Sequence, residues 1–176
     1  MDIRPALQIQ TVIKTLTDVV LPAVDPSNKL AIEQARLAIG TLNIVLQRQA
    51  LMYRYDRDEL ARALALADNL QDQAKDLPAA AHALHALANS AEVGADVLDR
   101  AKTDPAELEA TNVDLRDKLG ALITALYTGQ DTTKLKHITH SITAHAKEQI
   151  LRERIWLLGQ GWEPDPKSLP PLETLI

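Results

Sequence analysis

The chain has 176 residues, of which 46% are hydrophobic and 24% charged, enough to bury a core of its own and too apolar for a disordered chain. Alanine (26) and leucine (28) dominate, phenylalanine is absent, and tyrosine and tryptophan together number five, which excludes a strand-rich fold and predicts an all-helical one. The absence of cysteine excludes disulfides, thiolate nucleophiles and cysteine-ligated metals, and a formal charge of −5 argues against nucleic acid.

A first helix is predicted from about Pro5 to Leu21, with Ile9, Val12, Ile13, Leu16, Val19 and Val20 on one face and Pro22 and Pro26 ending it. Ser27 is the expected cap of a second helix running to Tyr53 or Tyr55. Asp56 and Glu59 have capping-box spacing, so a third helix starts there or the second merely kinks. Its core face would be Leu60, Ala63, Leu64, Ala67, Leu70, Ala74 and Leu77. Pro78 opens a fourth helix ending near Lys102, with a core stripe at Leu84, Leu87, Ala88, Ala91 and Leu98. Asp104-Pro105-Ala106-Glu107 is the clearest start signal, opening a fifth helix that carries Leu108, Leu115, Leu119, Leu122 and Leu126 and stops at Gly129. Asp131 or Thr132 begins the sixth, which reaches Gly159.

Short connections between such helices predict an antiparallel bundle of five to six helices over residues 1–158. Residues 159–176 contain four prolines among Trp162, Leu169, Leu172, Leu175 and Ile176. They read as an extended Pro-rich C-terminal arm, docked on the bundle or on a partner subunit and contributing to a homodimer. No segment is apolar for long enough to span a bilayer, and no signal peptide is recognisable, so a cytoplasmic location away from membranes is expected.

Charge is uneven, +2 over residues 1–55, −8 over 56–117, +3 over 118–158 and −2 beyond. The basic residues of the last helix (Lys134, Lys136, Lys147, Arg152, Arg154) alternate with acids and are expected on a solvated face. No phosphate-cradling loop, nucleophile elbow, zinc-binding helix or Glu-x-x-His pair is present, so no catalytic residue and no cofactor is assigned. His82 and His85, and His137 and His140, have the i,i+3 spacing of a chelate, but each pair falls on the polar side of its helix, and no metal site is assigned. His145 lies at the edge of the apolar face.

The second helix is apolar round most of its circumference and reads as a central one. Its single polar stripe, Glu33, Arg36, Gly40, Asn43 and Gln47, is either its wet face or a polar cleft in which Arg36 would anchor a small anionic ligand. Tyr53, Tyr55 and Arg57, with Trp162, Leu169 and Leu172 from the arm, are candidate interface residues. The sequence thus predicts a non-enzymatic binding, scaffolding or accessory protein that self-associates and has a possible protein partner. The alternatives are an enzyme or enzyme subunit using the stripe of Glu33, Arg36, Asn43 and Gln47, and a histidine-based metal-binding protein.

Overall fold

A computed structural model describes residues 4–128 and 132–176. Its described residues form seven α-helices and no strand, and none of those helices is long and apolar enough to cross a membrane. The chain divides into two compact units, residues 1–52 with 151–175, and residues 53–150 with Ile176.

In the first unit, α1 (Pro5–Thr15) passes through a π turn (Leu16–Val20) into α2 (Leu21–Ala23). The helix therefore continues past Pro22 instead of ending before it. Proline at 22 has no N–H to return to Asp18 and its ring crowds that carbonyl; the widened turn, with the Leu21 N–H reaching the Leu16 carbonyl, absorbs the conflict. The Asp25 carboxylate then accepts the Ser27 N–H and O–H, each at 2.8 Å. Ser27 is thus committed to a turn, and the cap of α3 (Lys29–Arg48) is Asn28, whose Oδ1 accepts the Ala31 N–H at 3.0 Å.

Three residues separate α3 from α4 (Met52–Ala74), with the Leu51 N–H bonded to the Arg48 carbonyl at 2.8 Å, so the two helices are distinct and Asp56 lies inside α4. The last turns of α7 (Thr132–Trp156) also belong to the first unit, where Arg48 Nη2 donates to the Ile155 carbonyl at 3.0 Å. An arginine there supplies donors to carbonyls that have no partner within their own helix.

After Trp156 the backbone forms 3-10 turns at Leu158–Gln160, Pro166–Ser168 and Leu172–Thr174 where an extended arm is expected. Proline's fixed φ suits the first residue of such a turn, as at Pro166. Leu172 is buried and Leu169 half-buried. Arg154 grips Glu163 through two bonds of 2.9 and 2.7 Å. Arg152, expected on a solvated face, is only 1% exposed and engaged within the protein.

The second unit holds α4, α5 (Ala81–Asp99, preceded by a 3-10 turn at Pro78–Ala80), α6 (Pro105–Thr128) and the first part of α7. Neighbours run antiparallel. Arg57 near the start of α4 donates to the Leu98 and Arg100 carbonyls at the end of α5, and Gln73 near the end of α4 donates to Ser141 in α7 at 3.0 Å. Ser90 of α5 donates to Asp114 of α6 at 2.6 Å, and Tyr127 near the end of α6 meets Thr139 of α7 at 2.6 Å.

All five α6 leucines of the predicted face are buried, with Leu60, Ala63, Ala67, Leu70, Ala74, Leu87 and Ala91, while Leu64, Leu77, Leu84 and Leu98 are half-buried against them. Val97, outside the predicted stripe of α5, is buried as well. Asp104 caps α6 by accepting the Ala106 N–H at 2.8 Å. α5 stops at Asp99, short of Lys102, because Arg100 is extended and the Thr103 hydroxyl takes the Val97 carbonyl at 2.7 Å. The expected boundary residues Gly129 and Asp131 lie outside the described residues.

Candidate interaction surface

The asparagine cap sets α3 running from Lys29 for twenty residues with eight large apolar side chains, Leu30, Ile32, Leu37, Ile39, Leu42, Ile44, Val45 and Leu46. A helix so apolar is ordinarily enclosed. Here Ile44 alone of these is buried. Ile32, Ile39, Leu42 and Leu46 are half-buried, and α1 packs against α3.

The residues exposed on another side form one stripe. At 100° per residue, Leu30, Gln34, Leu37, Ala38, Thr41 and Val45 fall within about a quarter of the circumference, and all six are exposed. Leu30 is 67%, Leu37 37% and Val45 41% open to solvent. These six residues are uncharged; Arg48 continues the same line of the helix, half-buried against the Ile155 and Trp156 carbonyls, and the Thr41 hydroxyl accepts from Gln160 Nε2 at 3.4 Å. In the same unit, α1 and its π turn leave Leu7, Val12, Val19 and Val20 exposed.

The polar stripe is divided by the chain's own C-terminal segment. Gly40 and Ile44 lie under the Leu158–Gln160 turn. A Cβ on Gly159 would come within 3.0 Å of Ile44 Cγ1, and one on Gly40 within 3.3 Å of Gln160 Oε1. The close approach to Ile44 accounts for Gly159, while at Gly40 the neighbour is the movable end of the Gln160 side chain. Glu33 and Arg36 are exposed, Gln47 is exposed, and Asn43 is half-buried with its amide donating to the Ile39 carbonyl of its own helix at 2.9 Å. The structure therefore places Arg36 and Asn43 in different settings, one facing solvent and one folded back on backbone.

Of the candidate interface residues, Arg57 lies with its guanidinium 5.9 Å from the Tyr53 ring centre while satisfying the end of α5, and the Tyr55 hydroxyl accepts from Gln149 at 3.5 Å. Tyr53 is at the margin of exposure. Trp162 is 67% exposed, following Gly161, whose φ of +74° only glycine adopts without strain. Leu169 and Leu172 face inward.

His82, His85, His137 and His140 are exposed and His145 is half-buried, as their helix faces predict. No group of three His, Asp or Glu suited to a metal occurs among the described residues. His140 and His145 line a shallow groove of about 350 Å³ between α4 and α7. Its charged residues, Arg62 and Glu148, stand 2.7 Å apart and engage each other.

Sequence reasoning took α3 for an enclosed helix and so passed over its outward stripe. The 7- and 8-residue spacings of Leu30, Leu37 and Val45 were the available signal. Comparison with protein-family models, with curated proteins and with solved structures finds no match for this chain.

Proposed function

We propose that this is a helical binding, scaffolding or accessory protein that acts through protein–protein contact, with α3 as its contact helix. One observation carries the reading. α3 has the composition of an enclosed helix, yet only Ile44 among its eight large apolar side chains is buried. Apolar side chains left open on a helix of that composition are the kind of surface a partner covers. Trp162, held out on the turn that Gly161 and the Arg154–Glu163 pair define, supplies a second anchor of the kind that dominates binding energy.

The test is Leu37→Glu and Val45→Glu. On an open stripe each changes stability by no more than about 0.5 kcal/mol and reduces binding of the apolar dye ANS. If the stripe were packed inside the fold, each would bury an unpaired charge at a cost of about 3–5 kcal/mol, and the reading would be wrong.

A further inference from the structure

We infer that the groove between α4 and α7 is a site for a small linear dicarboxylic acid, one carboxylate of which takes the place at Arg62 that Glu148 now holds. Both walls belong to the second unit. The helices run antiparallel, so Arg62 meets Glu148 at one end of the groove, while Asn69 and Ser141 share Gln73 at the other. Asn69 lies seven residues beyond Arg62, about 10 Å along the helix. Between the ends, Ala65 and Ala144 leave room and Leu66 adds an apolar floor. The volume of about 350 Å³ is at the lower end of sites that take small molecules.

Both ends offer donors. Gln73 Nε2 donates to Asn69 Oδ1 and to Ser141 Oγ, so what those residues have left for a ligand is chiefly amide N–H and hydroxyl O–H. At the other end, Arg62 Nη2 lies 2.7 Å from Glu148 Oε2, and Nε lies 4.0 Å from Asp58 Oδ2. Both nitrogens are buried, yet neither has an acceptor aligned for a hydrogen bond. The Arg62 side chain is 23% exposed and that of Glu148 63%. The cation is thus held in place under a loose cover. An ion pair with so exposed a partner is weak, and Glu148 can swing into water and uncover Nη2 while Asp58 stays beside Nε. A ligand carboxylate set squarely on the guanidinium gains the two parallel bonds that Glu148 does not make. A methylene chain over Ala65, Leu66 and Ala144 then carries the second carboxylate to the Asn69 and Ser141 donors.

Isothermal titration of the full chain with adipate, and with its monocarboxylic counterpart hexanoate, tests the site. The wild type is expected to bind adipate saturably. Hexanoate should bind at least about tenfold more weakly, because it leaves a methyl group facing the Asn69 and Ser141 donors. Glu148→Gln removes the covering charge at an exposed position and should bind adipate about tenfold more tightly. Arg62→Gln should lose binding. Ala144→Leu should lose it too, and since Ala144 is exposed, this variant fills the groove with helicity unchanged by circular dichroism and answers the question if Arg62→Gln unfolds. Arg36→Ala should bind as the wild type does. The absence of saturable adipate binding from both the wild type and Glu148→Gln overturns the site. Hexanoate binding equal to that of adipate, adipate binding that survives Ala144→Leu, or a Glu148→Gln protein that binds no more tightly than the wild type also overturns it.

Discussion

Two glycines in the second unit turn the same substitution into opposite outcomes. A Cβ on Gly120, on the exposed side of α6, meets nothing within 4 Å. Gly120→Ala therefore gains only the backbone term, about 0.5–1 kcal/mol of stability. Gly94 sits where α4, α5 and α6 converge, and a Cβ there would lie 3.1 Å from Leu64 Cδ2, 3.4 Å from Leu60 Cδ1 and 3.7 Å from Thr111 Cγ2. The same backbone gain is then set against overpacking of about 1–3 kcal/mol, since Leu64 Cδ2 must move aside while Leu60, at contact distance and fully buried, cannot. Gly94→Ala should be destabilising by about 1 kcal/mol, so the two variants should differ by about 2 kcal/mol. In a protein of this size that is a gap of about 4–8 °C in Tm. Thermal melts followed at 222 nm at one pH read it directly. A Gly94→Ala protein as stable as Gly120→Ala would refute the three-helix contact at this position.

Burial, with Glu59 and Glu109 close by, holds the Asp56 carboxyl above its ordinary range. The folded state then binds more protons than the unfolded one, and stability falls as pH rises through that range. Asp56→Asn should raise Tm at neutral pH, with the gain shrinking on acidification in parallel melts. The Arg154 guanidinium holds Glu163 below its ordinary range, so this pair steadies the C-terminal turns above the usual glutamate range and is lost as pH falls through the lowered value. Trp162 fluorescence in a Trp156→Phe background should report that acid transition, and Glu163→Gln should abolish it. Arg36→Ala, at an exposed position, should change stability by no more than about 0.5 kcal/mol. Isothermal titration of that variant with citrate or phosphate, compared with wild type, would revive the cleft reading only if wild type binds and the variant does not.

The second unit was the more legible in sequence because its signals are local. Asp104-Pro105 opens α6 and its leucine spacing places all five leucines inside. The departures arise where a local signal meets a competing bond. Ser27 looks like a cap until Asp25 takes its N–H and hydroxyl, leaving the role to Asn28. Pro22 looks like a terminator until a π turn accommodates it. Arg152 alternates with acids yet is buried, a fact of tertiary packing that helix periodicity does not show. α3 shows the larger difficulty. Its apolar circumference states that it is covered, but periodicity cannot say whether the cover belongs to the same chain.

The most direct measurement is the thermal melt and ANS binding of Leu37→Glu and Val45→Glu beside the wild type. With α3 as an open contact helix, the wild type binds ANS, and each variant melts within about 0.5 kcal/mol of it and binds less dye. A wild type that binds no ANS, or a variant destabilised by the roughly 3–5 kcal/mol that a buried unpaired charge costs, would contradict it.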